Sequence, residues 1–170
     1  MEIKPEIKFG FLAGVALIIW TIVQYFLGFH TNRFEFGNLA TIGNLILLLL
    51  PLWMALNEKK GDSGKAFNLR LGMRTGLLML LISSGLASVF MVIYDYKINP
   101  LWVDRMIEWQ ISADKNYALS KLANEPDASA IILSNTEMHL CVYFFTLIFS
   151  GMLMTFLISI VQLFRKNKTV

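Results

Sequence analysis

Charge is scarce in this sequence, and it is missing from long continuous stretches. Only 16% of the 170 residues are Asp, Glu, Lys or Arg, whereas soluble domains carry roughly 25% charged residues. Hydrophobic residues make up 56% of the chain. This balance excludes an ordinary soluble domain and indicates a membrane protein.

Cysteine pairs and the common catalytic motifs are also absent. Cys141 is the only cysteine, which excludes an intrachain disulfide and a cysteine-rich metal site. The chain contains no Walker phosphate-binding loop, no G-x-S-x-G motif and no H-E-x-x-H motif. We therefore expect no catalytic residues and no bound cofactor, and a non-enzymatic role is favoured.

Four runs without Asp, Glu, Lys or Arg dominate what is present. They are residues 9–29, 36–56, 75–94 and 139–164. A helix of about 20 residues is about 30 Å long, which matches the hydrocarbon core of a bilayer. We predict four spans in a single membrane domain, residues 1–170. No small-residue cleavage site follows the first run, so we expect a first span and not a cleaved signal peptide.

The third run leads into the longest polar segment of the chain, residues 95–138. Arg74 precedes the run and Tyr94 closes it, and basic and tyrosine side chains are typical of the two membrane–water interfaces. Asn99 and Pro100 then favour the start of an outer helix, because Asn caps free N–H groups and Pro lacks one. An ordinary turn at this dipeptide is equally compatible with the sequence.

The surroundings of this run resemble a known family. The motifs that carry the resemblance are Gly72-x-x-x-Gly76 before the run and Tyr94-x-x-x-Ile98-Asn99-Pro100 at its end. They resemble the third span of the bacterial family called domain of unknown function 4199. The resemblance implies a small four-span membrane protein with a polar loop after the third span. It implies no activity and no functional residues.

Polar side chains inside the runs are candidates for contacts between helices. An amide in lipid is costly without a partner, so we expect Asn44, Gln24 and Ser84 to face neighbouring helices. A hydrogen bond between two helices in a membrane stabilises the protein by about 0.6 kcal/mol on average. For Asn44, a functional contact is the alternative to such a bond. Pro51 removes one backbone hydrogen bond inside the second run and predicts a kink there.

The polar segment predicts short amphipathic helices. Trp102, Met106 and Trp109 recur at helical spacing, and Asp104 and Glu108 fall on the opposite face. Residues 112–124 favour a second short helix. We expect these helices to lie on the outer membrane surface or to cap the bundle, with a partner-binding groove as the alternative. The predicted fold class is all-α: an integral membrane four-helix bundle with short amphipathic helices between spans three and four.

One set of residues could bind a metal ion. His30, Asp95, Glu137 and His139 should all lie near the outer interface. Two imidazoles and two carboxylates suit a zinc-like ion or a pH-sensitive contact. The sequence does not determine the distances between them, and interface histidines without a metal are the favoured interpretation.

The distribution of basic residues predicts the orientation. Ten of the fifteen Lys and Arg residues lie in the two terminal segments and in the loop between the second and third runs. We expect the protein to lie in the inner membrane of the cell. The positive-inside rule then places these basic segments, and therefore both termini, in the cytoplasm. The net charge of +3 is an orientation signal and gives no indication of nucleic-acid binding. For the basic residues of the loop, contact with anionic headgroups is the alternative to a role in orientation alone.

Three functions remain open, and the weakest of them is an intramembrane enzyme that would use the His and acidic residues at the outer interface. The favoured hypothesis is a scaffold or accessory subunit in the lipid bilayer, which associates with another membrane or periplasmic protein or with further copies of itself. The alternative is a small transporter or lipid-handling protein. That role would require a polar cavity, and the candidate residues for its wall are Gln24, Asn44, Ser83, Ser84 and Thr146.

Overall fold

The computed structural model describes residues 3–113 and 136–164, and every regular element in these two stretches is a helix. The helices are α1 (Pro5–Phe26), α2 (Gly37–Ser63), α3 (Leu69–Ile93), α4 (Trp102–Ala113) and α5 (Thr136–Phe164). Short 3₁₀ turns, Phe34–Phe36 and Gly64–Ala66, stand before and after α2. The asparagine before α3, Asn68, caps this helix by accepting a hydrogen bond from the Leu71 amide at 2.9 Å.

Four of these helices, α1, α2, α3 and α5, are long and apolar enough to cross a membrane. Their outward surfaces carry large apolar side chains, including Phe11, Phe26, Phe149 and Phe164. Apolar surface on this scale is stable against lipid and not against water. The predicted all-α fold with four membrane-length helices is confirmed, and the protein is a membrane protein.

The third helix is at the centre of the packing. It runs along both α1 and α5, while α2 packs beside α1 and α5 and so closes the bundle. Small residues let the backbones approach: a Cβ at Gly14 of α1 would lie 2.8 Å from Leu86 of α3. The apolar core inside the bundle of these four helices consists of Phe9, Ala13, Leu17, Leu48, Leu52, Ala55, Leu56, Met79, Leu80, Ala87, Leu147 and Ile158.

A glycine turn ends α1 and reverses the chain. Gly28 has φ of 82°, a left-handed conformation that glycine adopts without a steric penalty. The Gly28 and Phe29 amides donate to the carbonyls of Tyr25 and Gln24 at 3.0 and 2.9 Å, which is the Schellman pattern. This turn leads into His30, which lies within hydrogen-bond distance of Tyr94 at the end of α3.

The end of α3 has a different form. The helix widens into one π-helical turn, Tyr94–Ile98, in which the Asn99 amide donates to the Tyr94 carbonyl at 2.9 Å. Both Tyr94 and Asp95, the first two residues of this turn, are buried. Turns of this type are frequent at functional sites.

The two ends of the bundle differ in chemistry. At the end we call the basic end, Lys8 pairs with Glu58 at 2.9 Å and Lys59 lies 3.7 Å from Glu6. The opposite end, which we call the aromatic end, is formed by the turn after α1, the π-helical turn and α4. The aromatic end contains the largest group of interacting polar and aromatic side chains among the described residues.

Candidate functional site

A histidine–tyrosine pair forms the centre of the aromatic end. His30 Nδ1 lies 2.7 Å from the Tyr94 hydroxyl oxygen, and their ring centroids are 5.4 Å apart. The Asn99 side-chain amide donates to the same hydroxyl at 3.2 Å and to the His30 backbone carbonyl at 3.0 Å. These bonds join the turn after α1, the end of α3 and the approach to α4.

A buried carboxylate lies beside this pair. Asp95 is 6% exposed, and its Oδ1 accepts a hydrogen bond from the Trp102 indole N–H at 2.6 Å. Its Oδ2 has no hydrogen-bond partner in the described part of the chain. No ion pair joins Asp95 to a basic side chain of residues 3–113 and 136–164, so within that part of the chain no such pair compensates for the burial of this carboxylate.

Aromatic rings extend from the pair toward α4. The Trp102 ring lies 5.1 Å from the His30 ring, and the Trp109 ring lies 6.1 Å from that of Phe34. Ring pairs at such separations stabilise by about 0.5–1.5 kcal/mol beyond their burial. The apolar stripe of α4 therefore packs against the turn that follows α1.

Beneath these rings is a cavity of about 350 Å³, within the range of about 300–1,000 Å³ that is common for small-molecule sites. It is lined by α1, the turn, α2, α3, α4 and α5. The polar part of its wall includes Thr21, Gln24, His30, Asn38, Thr41 and Asn44. The apolar and aromatic part includes Phe29, Phe34, Met91, Trp102, Met106 and Trp109.

Two amides in this wall have unused hydrogen-bonding capacity. Gln24 is 4% exposed, and neither its Nε2 nor the Oδ1 of Asn44 has a hydrogen-bond partner within residues 3–113 and 136–164. A buried polar atom left without a partner costs about 1–3 kcal/mol. The wall therefore offers one donor and one acceptor to a molecule in the cavity.

The other polar residues predicted to pack between helices lie elsewhere. Ser84 is buried in α3 and donates to the Leu80 carbonyl of its own helix at 2.5 Å; Ser83 donates to the same carbonyl at 3.2 Å. Thr146 is exposed on α5. The structure brings Gln24 and Asn44 together in one cavity wall, and the two serines do not line that wall.

The residues predicted to shape the backbone are also placed. Pro51 is buried within α2, which continues on both sides of it, and the kink stays a prediction. Asn99 and Pro100 precede α4, which begins at Trp102; the Trp102 amide donates to the Asn99 carbonyl at 3.2 Å. The Asn99 side chain is used in the bonds to His30 and Tyr94.

The metal hypothesis stays a prediction. His30 and Asp95 make the bonds given above, while the side chains of Glu137 and His139, at the start of α5, lie outside what the structure describes. Among the described residues, no group of three or more His, Cys, Asp or Glu side chains could bind a metal ion. Of the second predicted outer helix, residues 112–113 belong to α4 and residues 114–124 lie outside the described part.

Sequence reasoning missed the roles of Tyr94 and Trp102. Position along the chain predicts only an interface tyrosine for the first and a place in an apolar stripe for the second. Their tertiary partners, His30 and Asp95, are separated from them by 64 and 7 residues. The bond between Asp95 and Trp102 has a signal in the sequence: an acidic residue directly after an apolar run, followed by a tryptophan at the start of the next helix.

Comparison with known families gives one match. The sequence matches the family described as a protein of unknown function, DUF4199, over residues 8–165. The chain belongs to the DUF4199 family. No curated protein and no solved structure matches this DUF4199 protein. Family membership is consistent with the four membrane-length helices. The cavity at the aromatic end is the best candidate for a functional site in the described part of this protein.

Proposed function

We propose that this DUF4199 protein is a non-enzymatic protein of the bacterial inner membrane that binds a small ligand in the cavity at the aromatic end. The observation that carries the proposal is the pair of buried amide atoms, Gln24 Nε2 and Asn44 Oδ1, that lack partners among the described residues and line one cavity. A binding cavity with such a wall is what a small transporter or lipid-handling protein requires.

The wall indicates the class of ligand. Among the described residues that line the cavity, Glu35 carries a charge and is exposed. No Lys or Arg is among these described lining residues. Aromatic and thioether groups supply the apolar surface, from Phe29, Trp102 and Met106 among others. A neutral molecule with an apolar body and both a hydrogen-bond donor and an acceptor fits this chemistry.

Recovery of small molecules bound to the protein tests this proposal. The protein is purified from its native membrane in mild detergent, and mass spectrometry of extracts compares the wild type with a Gln24→Leu, Asn44→Leu double variant. We expect a neutral amphiphile that is enriched with the wild type and depleted at least tenfold with the variant.

The matched control is Gln162→Leu. Gln162 is another fully buried amide whose side-chain nitrogen and oxygen lack partners in the described residues, but it lies near the end of α5, away from this cavity. Its variant should retain the amphiphile. Equal recovery from all three proteins contradicts the proposal.

Association with a partner is the second candidate. It is supported by the outward face of α4, on which Asp104, Arg105 and Glu108 are exposed while Trp102 and Met106 line the cavity. That face would contact another membrane or periplasmic protein, or a further copy of this chain. A partner cross-linked to the wild type and lost from an Asp104→Lys, Glu108→Lys variant supports this function; unchanged cross-linking contradicts it.

We also propose that both ends of the chain are cytoplasmic, which puts the aromatic end on the periplasmic side. Support comes from the excess of Lys and Arg in the terminal segments and in the loop between α2 and α3. Reporter fusions at Gly61 and Asn124 test the orientation. The first should report a cytoplasmic position and the second an external one, and the reverse pattern would invert the assignment.

A further inference from the structure

A second cavity lies at the basic end, about 210 Å³ in volume. Its charged wall consists of Lys4 and Glu6 at the start of α1, Lys59 near the end of α2 and Arg74 in the first turns of α3. From the sequence, the basic residues of the loop around Lys59 and Arg74 are predicted to be orientation charges, with contact to anionic headgroups as the alternative. The fold brings three cationic side chains from three parts of the chain to one place.

The charges in this cavity do not cancel. Glu6 is mostly buried and lies 3.7 Å from Lys59, while neither Lys4 nor Arg74 forms an ion pair with a carboxylate in the described residues. Three cations therefore surround one carboxylate, and the net charge is positive. A site of this kind attracts an anion, and Glu6 competes with that anion for Lys59.

The same cavity has an apolar wall. Leu71 and Leu78 line it along α3, and Leu78, one turn beyond Arg74 in the apolar run, is partly exposed. Thr75 lies between them on the same helix and also lines the cavity. A cationic rim that continues into an exposed apolar surface matches a phosphate group attached to an acyl chain.

We propose that this cavity binds the headgroup of an anionic phospholipid. The phosphate would lie between Lys4, Lys59 and Arg74, and the first part of an acyl chain would lie against Leu71 and Leu78. This site is separate from the cavity at the aromatic end, and its occupation does not depend on the ligand proposed there.

Lipid titration by native mass spectrometry tests the assignment. The full chain in detergent is titrated with phosphatidylglycerol and, separately, with phosphatidylcholine, and we expect preferential binding of the first. Arg74→Gln should weaken phosphatidylglycerol binding about fivefold, the effect of one basic residue near an anionic lipid. The control is Arg70→Gln, which removes the same charge one turn earlier on α3, outside the lining of this cavity, and should leave binding within about twofold.

A variant with the opposite effect separates binding from folding. Glu6→Gln keeps the side-chain shape and removes the carboxylate that competes for Lys59, so it should tighten phosphatidylglycerol binding about fivefold. Glu58→Gln is its control, because Glu58 pairs with Lys8 outside this cavity. A purely structural role for Glu6 would weaken binding instead.

Each alternative outcome has a separate signature. If Arg70→Gln and Arg74→Gln weaken binding equally, general surface charge is responsible and the site is rejected. If Glu6→Gln weakens binding, or if phosphatidylcholine binds as well as phosphatidylglycerol, the headgroup assignment is wrong. If inorganic phosphate or glycerol phosphate competes at the concentrations at which the lipid binds, the ligand is a free phosphate and the lipid assignment fails.

Discussion

The indole N–H of Trp102 donates to Oδ1 of Asp95 at 2.6 Å, across the break between α3 and α4. Both residues are buried, and a hydrogen bond to a charged group in such surroundings contributes about 1.5–3 kcal/mol. The bond holds the first turn of α4 against the end of α3. Because Trp102 also lines the cavity at the aromatic end, this bond positions part of the cavity wall.

Removal of this bond should destabilise the protein. Trp102→Phe leaves an aromatic ring but no donor, so Oδ1 of the Asp95 carboxylate loses its partner, and Oδ2 already has none among the described residues. We expect a loss of about 2–4 kcal/mol, from the missing bond and the smaller ring. Thermal unfolding in detergent measures the change, and Trp109→Phe, at a more exposed position of α4, should cost less than about 1 kcal/mol.

A double-mutant cycle isolates the contribution of the bond. In an Asp95→Leu background the carboxylate is absent, so Trp102→Phe should cost at least 1 kcal/mol less than in the wild type. An equal cost in the two backgrounds would mean that packing of the indole, and not its hydrogen bond, stabilises this end.

The hydroxyl of Tyr94 should be as important as its ring. Tyr94→Phe removes the group that contacts both His30 and Asn99, and leaves their polar atoms in a buried site. We expect a loss of about 1–3 kcal/mol in unfolding experiments. Asn99→Ala should have a similar effect, and the two changes together should cost less than their sum because they remove the same network. Tyr96→Phe, at an exposed position, is the control and should have no measurable effect.

Replacement of Asn44 by an apolar residue should weaken ligand binding without lowering the stability of the ligand-free protein. Asn44→Leu replaces a side chain whose Oδ1 has no partner among the described residues by an apolar one of similar size. We expect unchanged or slightly higher thermal stability of the ligand-free protein, by up to about 1 kcal/mol, together with loss of the bound amphiphile. A marked loss of stability would show that Asn44 makes a structural contact, and would support the prediction of interhelical packing over ligand binding.

Close packing between α3 and α5 should depend on the absence of a side chain at Gly76. A Cβ there would collide with the side chain of Thr155, so Gly76→Ala should destabilise by about 1–3 kcal/mol. Gly85→Ala is the matched control on the same helix, since no described atom would lie within 4 Å of its new methyl group. It should be neutral or stabilise by up to about 1 kcal/mol.

A rescue experiment checks the cause of the loss. Thr155→Ala removes the colliding atoms beyond the Cβ and should recover part of the stability lost in Gly76→Ala. Equal destabilisation by Gly76→Ala and Gly85→Ala would instead indicate that the helix backbone, and not its contact with α5, limits stability.

The sequence alone was sufficient for the fold class. Four runs without charge each have the length of a membrane span, and in lipid a helix is the structure that satisfies its own backbone hydrogen bonds. The family resemblance rested on Gly72, Gly76 and the residues around Tyr94, and the family is confirmed. These features are local along the chain, so they can be read without knowledge of which helix packs against which.

Tertiary structure alone decided the two cavities. Gln24 and Asn44 were recognised from sequence as polar residues that need partners, but hydropathy does not show that they share a cavity wall or that Ser84 bonds within its own helix. The sequence favours orientation charges, over contacts with anionic headgroups, for the basic residues around Lys59, and only the fold shows that Lys4 and Glu6 at the start of α1 share a cavity with them. Which way each helix faces, and which helices it contacts, depend on close packing at small residues. Such packing is a property of two surfaces in contact, and the sequence of one segment does not show it.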